Sequence, residues 1–189
     1  MISFAPRAPR FVQIVPLCLL PLVAACVAPG GVQSAQTAVP VTVGIIAIND
    51  FHGSLEPPRQ SVEAPDGPGR TVRVPAGGSA FLASAIDGLR AKYPHHLTVS
   101  AGDLISASQL ASSIYLDEPT IGVFNRIGLD FNAVGNHEFD RGRNELLRMQ
   151  RGGCAQLTAR KPCQVEQFTG AKFQFLAAST LTESGQTGR

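Results

Sequence analysis

Three short runs in this 189-residue sequence combine the residue types that hold divalent metal ions. Asn49-Asp50-Phe51-His52-Gly53, Gly102-Asp103 and Gly135-Asn136-His137-Glu138-Phe139-Asp140 offer carboxylate, imidazole and amide oxygen. Such donors suit Mn, Zn, Mg or similar ions, not the soft centres that thiolates select. Two such ions roughly 3.5–4 Å apart activate water and stabilise both oxygens of an in-line displacement at phosphorus. An aspartate placed between two ions bridges them, and Asp103, on the middle run, is the candidate for that position. Taken singly, each run has a plainer explanation. Asn-Asp before glycine is turn chemistry, Gly-Asp opens many loops, and Asn and His cap helices and turns. Their meaning depends on whether the fold brings them together.

The surrounding pattern predicts that it does. Val41 to Ile48 is a nearly continuous apolar run with β-branched residues, as in a strand buried on both faces. A Pro- and Gly-containing stretch from Leu55 to about Gly78 reads as a long loop without structure of its own, of the kind that rims active sites. Ser79 then caps a helix whose apolar face is Phe81, Leu82, Ala85, Ile86 and Leu89, with Pro94 marking its end. Leu97 to Ser100 is a second strand. Pro119 opens a helix with Ile121, Phe124 and Ile127 on one face and Gly128 at its close. Phe131 to Val134 is a third strand, Asn144 to Gln150 a helix with Leu146, Leu147 and Met149 turned inward, and Phe173 to Ala178 a fourth strand. Alternating strands and helices imply an α/β domain with mainly parallel strands and flanking helices. The carboxyl ends of parallel strands share one edge, where ligands bind. The three polar runs follow the first three strands, so they should converge there.

The run Asp50-x-His52-Gly53, then Gly102-Asp103, then Gly135-Asn136-His137-Glu138-Phe139-Asp140 resembles the calcineurin-like metallophosphoesterase superfamily. The full NDFHG and GNHEFD forms are similar to its 5′-nucleotidase branch, with cyclic-nucleotide phosphodiesterases close by. The resemblance implies the N-terminal part of a four-layer α/β-β/α sandwich. It further implies that Asp50 and His52 bind one ion, Asp103 bridges two, and Asn136 binds the second. His137 would act on the phosphate or the leaving oxygen without being a ligand, oriented and polarised by Asp140. Glu138 is expected to be structural and Phe139 part of the core. His95 and His96 match nothing in the pattern and read as a solvated turn beside Pro94.

The implied activity is metal-dependent hydrolysis of phosphoesters, with extracytoplasmic 5′-nucleotides as the first substrate class. Hydrolysis of 2′,3′-cyclic nucleotides or a related ester is one alternative, and a truncated, non-catalytic lipoprotein is another. The resemblance covers Val41 to Ala178. The family's later histidines, including a Gly-His-x-His-like element, have no counterpart, because none of the four histidines lies after His137. The family's substrate-binding C-terminal domain and second half-sandwich are also unmatched. The expectation is therefore the N-terminal portion of such an enzyme, completed by another chain or a longer form.

The N-terminus reads as an export signal. Arg7 and Arg10 precede an apolar stretch, Phe11 to Ala25, too short and too proline-rich for a spanning helix. Leu22-Val23-Ala24-Ala25-Cys26 resembles a bacterial lipobox, with Cys26 lipidated after cleavage. The alternative is an ordinary secretory signal with an incidental cysteine. Val27 follows the cysteine, with no aspartate to suggest inner-membrane retention. The expected place is the outer membrane, facing the periplasm or cell surface. Residues 1–25 are then signal, 26–40 a flexible tether, and 41–189 the partial catalytic domain. Cys18 leaves with the signal. Cys154 and Cys163 suit a local disulfide in an oxidising compartment, with metal ligation as the competing idea. The chain carries 16 Lys+Arg against 14 Asp+Glu. Two of the basic residues lie in the signal segment, so the mature balance is near zero and gives no case for a nucleic-acid polymer as partner.

Overall fold

The structure, a computed structural model, describes residues 39–185; the segment expected to be a signal, most of the expected tether and Cys26 lie outside them. The chain divides after Val39, and the unit from Pro40 onward carries the fold. Strands β1 (Gly44–Ile48), β4 (His96–Ser100), β5 (Phe131–Ala133) and β6 (Gln174–Leu176) form one parallel sheet in the order β1-β4-β5-β6. Strands β2 (Ser61–Pro65) and β3 (Thr71–Pro75) form a separate antiparallel hairpin. Helices α1 (Gly78–Arg90), α2 (Leu110–Ser113), α3 (Glu118–Ile127) and α4 (Arg143–Arg151) fill the connections, with a single 3-10 turn at His137–Phe139. The fold is α/β with a parallel sheet and flanking helices, as the alternation predicts.

Side chains alternate across a strand, and here one alternation is buried and the other is not. Ile46, Thr98, Ser100 and Asn132 face the core, which continues through Ile86, Ile121, Phe124, Ile127, Met149 and Phe173. On the opposite face Ile45 is 69% exposed beside its register partner Leu97 at 39%, and Leu176 is 49% exposed. The expectation that β1 is buried on both faces is therefore corrected. An unbroken apolar run marks a strand without telling how many of its faces meet a second layer, and among the described residues nothing covers this one.

Helix α3 follows its sequence signals closely. Proline occupies the first turn, Ile121, Phe124 and Ile127 are buried, and Gly128 ends the helix at φ +79° with its N–H donating to the Phe124 carbonyl. Arg90, at the end of α1, donates to the carbonyls of Ile127 and Gly128 and to Thr98 Oγ1. A guanidinium at the negative end of α3 is favourable electrostatically and locks α1, α3 and β4 together.

Four local expectations change. The 55–78 segment is not structureless, because β2 and β3 pair across an Asp66-Gly67 turn tied by Arg70 to Asp66. Gly77, not Ser79, precedes α1; Ser79 lies in its first turn and donates from both N–H and Oγ to the Leu55 carbonyl. Of the predicted apolar face only Ile86 is fully buried, while Phe81 and Leu89 are exposed. They flank two open grooves between α1 and β1, an edge strand of the sheet, so part of that face overhangs it. His95 is exposed, but His96 begins β4 and bonds through Nδ1 to the Tyr93 carbonyl.

Candidate metal centre

The loops leaving β1 and β4 continue the strand pairing past the ends of the strands. Ala101 N–H donates to the Ile48 carbonyl, and the amides of Asp50, His52 and Gly53 donate to the carbonyls of Gly102, Asp103 and Leu104 at 3.0–3.1 Å. This zipper carries Asp50 and His52 alongside Asp103. Asp50, His52 and Asp103 all adopt the left-handed backbone conformation, with φ of 51°, 45° and 54°. That conformation costs roughly 1–2 kcal/mol for each non-glycine residue. Strained backbone of this kind persists where surrounding contacts over-determine it, and it concentrates at functional sites. Gly102, at φ +115°, lets the third loop approach: a Cβ there would lie 2.8 Å from Gly135 N.

The three runs do converge. Ligand atoms of His52, Asp103 and His137 all lie within 4.8 Å of one another. The His52 and His137 rings meet edge to face, with centroids 4.8 Å apart. His52 Nδ1 is bonded to the Ser106 carbonyl at 2.9 Å, and His137 Nδ1 to Asp140 Oδ2 at 2.8 Å. Each ring therefore leaves Nε2 free for an ion or a substrate oxygen. Asp50 is exposed and lies outside this triad, with Oδ1 3.9 Å from His52 Nε2 and a hydrogen bond from Asn49 Nδ2 on Oδ2. Asn136 is exposed and precedes the 3-10 turn, its carbonyl accepting the Phe139 N–H. Phe139 is half-buried beside α4.

The Asp140 hydrogen bond is the main reason that the His137 imidazole is held above its ordinary pKa. Partial desolvation works against this, and the nearby charges of Asp140, Asp103 and Glu138 add to it. Because an ionised carboxylate only accepts, Nδ1 carries a proton and Nε2 is the atom presented to the site.

Two buried acidic residues complete the site, and neither was assigned a part in it from sequence. Glu138 is 2% exposed and binds the loops after β4 and β5. Asp117 is fully buried at the start of α3, with φ +64°. It accepts from Ser106 N–H, Ser112 Oγ and Arg141 Nη1. Ser106 is the residue whose carbonyl fixes His52, so Asp117 and Arg141 set the direction of that imidazole indirectly. Desolvation pushes the Asp117 carboxyl up, but hydrogen bonds from Ser108, Ser112 and Arg141, with the Arg141 charge, more than offset it and leave the pKa lowered. The available signal was slight: an Asp-Glu-Pro helix start for Asp117 and the GNHEFD match for Glu138.

The donor set fits a divalent cation: imidazole and carboxylate converge, with backbone positions fixed by neighbouring loops. No family model matches the chain. It is 58% identical over 146 residues to an uncharacterised protein of the pqq-V 5′ region in Acinetobacter calcoaceticus, covering 76% of this chain and 72% of that one. Endonuclease YhcR of Bacillus subtilis is 40% identical over 126 residues, 65% of this chain and 10% of its own length. The NAD 5′-nucleotidase of Haemophilus influenzae is 30% identical over 117 residues, 62% of this chain and 19% of its own. The solved structure of Haemophilus influenzae NAD nucleotidase superposes with a TM-score of 0.51 at 26% identity, covering 75% of this chain and 21% of that one. The chain thus spans most of the first relative and at most about a fifth of the other two. By these comparisons the chain is similar to a portion of much longer proteins that include 5′-nucleotidases, which are hydrolases.

Proposed function

We propose that this chain carries part of a two-metal phosphomonoesterase site acting on 5′-nucleotides outside the cytoplasm. The observation that carries the reading is the convergence of His52, Asp103 and His137 from three separate strand ends. Asp50 and His52 would hold one divalent ion, Asp103 would bridge two, and Asn136 would serve the second. When bound, such ions activate water and neutralise charge on the phosphoryl oxygens.

The protein's own contribution centres on His137. Its Nδ1 proton is held by Asp140, so Nε2 faces the substrate oxygen. Protonated, it hydrogen-bonds a phosphoryl oxygen and delivers a proton to the leaving alkoxide, and the raised pKa keeps that form populated towards neutral pH. Asp140 keeps the ring in one tautomer. Asp117 and Arg141, acting through Ser106, do the same for His52.

Residues 1–25 are proposed as a signal, 26–40 as a tether lipidated on Cys26 and 41–189 as the catalytic portion, at the outer membrane. Support comes from the lipobox-like sequence and from the Cys154–Cys163 disulfide, which suits an oxidising compartment. A Cys26→Ser variant that still partitions into membranes would count against the lipid anchor.

The test is phosphate release from AMP by the purified chain with Mn²⁺. His137→Ala should lower turnover by about 10²–10⁴-fold, the usual contribution of a positioned acid or base. Turnover of a phosphodiester but not AMP would move the substrate class. Absence of turnover with any divalent metal would contradict catalysis by this chain.

A further inference from the structure

Glu138 is buried at the edge where the substrate would sit, yet its carboxylate is fully occupied. Oε2 accepts the backbone N–H groups of Asp103 at 2.9 Å and Gly135 at 2.8 Å. Oε1 accepts the N–H of Leu104 at 2.9 Å and Nδ2 of Asn132 at 3.2 Å. An ionised carboxylate has about four acceptor positions, so none is left for an ion or a substrate. In the reverse direction, Asp103 Oδ1 accepts the His137 N–H at 3.1 Å. The loop after β4 is thus held by an acid on the loop after β5, and the second loop by an acid on the first.

We propose that Glu138 is the positioning residue of the metal centre: its buried carboxylate fixes Asp103 and the Gly135–His137 segment relative to one another, and thereby sets the affinity for divalent cations. The proposal rests on the metal-dependent reading above. Its physical basis is the cost of the alternative. Without the carboxylate, the amides of Asp103, Leu104 and Gly135 lose their partner in a buried setting. Asp103 would then have little to hold it at φ +54°, and the approach of Gly135 to Asp103 Oδ1, which leaves no room for a Cβ, would open. Glutamine is not a conservative replacement here. Whichever way its amide is turned, an NH₂ group faces two N–H donors. Outer groups that orient metal ligands typically govern affinity by about 10–100-fold.

The experiment compares Mn²⁺ binding by isothermal titration and amide hydrogen exchange in the full chain and its Glu138→Gln variant. The expected result is a loss of Mn²⁺ affinity of at least about tenfold. It should come with faster exchange at Asp103, Leu104 and Gly135 and unchanged protection in α3. Ile121→Val, a destabilising core change, should leave the affinity unaltered. If Glu138→Gln does not fold, Asn132→Leu replaces it. That variant removes one of the four donors together with Asn132 Oδ1, a buried atom without a hydrogen-bond partner, and should weaken Mn²⁺ binding in the same direction. Wild-type binding retained in full by Glu138→Gln, or by Asn132→Leu in its place, overturns the positioning role and leaves the metal reading standing. A wild-type chain that binds no Mn²⁺ overturns both.

Discussion

At the strand-end edge, the buried acid Glu138 accepts three backbone N–H groups and the Asn132 side-chain amide. Between α3 and α4, Glu145 and Glu118 instead meet one buried guanidinium, that of Arg148, at 2.7 Å each. Arg148 also donates to the Gly153 carbonyl and lies over the Phe168 ring, while Glu118 accepts the Cys163 N–H. The second cluster therefore joins two helices to the disulfide loop. Side chains of the same type do different work in the two places. The backbone-directed Glu138 fixes loop geometry and so acts on ligand affinity, the Arg148-paired acids hold elements together and act on stability, and Asp117, which takes both a backbone N–H and the Arg141 guanidinium, stands between them.

The largest expected separation comes from Arg148→Met. Removing the cation strands the buried Glu145 carboxylate and the half-buried one of Glu118, and breaking a buried pair in this way costs about 3–5 kcal/mol. Denaturant unfolding should show that loss while Mn²⁺ affinity stays unchanged. An affinity loss as large as that of a site variant would break the comparison. Next comes the Cys154→Ser/Cys163→Ser pair. The closed loop is short, with a sequence separation of nine, so its entropic contribution is about 2–3 kcal/mol. Urea titration of this variant should again report stability alone.

Asp117→Asn is the smallest of the three in stability, about 1–2 kcal/mol, and the one expected to reach the metal site. Asparagine can still accept from Ser106 but loses the charge that Arg141 pairs with. The His52 imidazole should be less well held and Mn²⁺ affinity should fall by about tenfold. The pH dependence has a definite sign. The folded pKa of Asp117 is lowered, so its contribution is present above the unfolded value and lost as pH falls through the folded one. The difference in melting temperature between wild type and Asp117→Asn should accordingly be full at pH 6 and shrink below about pH 4. A difference constant down to pH 2 would show that the charge is not what matters.

What could be read in the sequence divides along a physical line. Helix α3 was legible because its signals are local: Pro119 in the first turn, three apolar residues at helical spacing, and Gly128 at the close. The three site loops were legible because a parallel sheet brings strand ends to one edge whatever the intervening chain does. The β2–β3 hairpin was missed although Asp66-Gly67 and the alternation in Thr71-Val72-Arg73-Val74 were present, because the prolines around them read as loop. The exposure of Ile45 could not be read, since an apolar run does not say which of its faces is covered. The parts of Glu138 and Asp117 were hidden for a third reason. Several of their partners lie on other loops, up to 35 residues away, and only the folded chain brings those backbone amides to the acids.

The most direct test of the central claim is Mn²⁺ binding by the wild-type chain and by Asp103→Ala, measured by isothermal titration. Asp103 stands at the middle of the three converged loops and lends its Oδ1 to the His137 amide. Wild type should bind Mn²⁺ saturably and Asp103→Ala should lose that binding, with the fold retained by circular dichroism. Equal binding by the two proteins would contradict that claim.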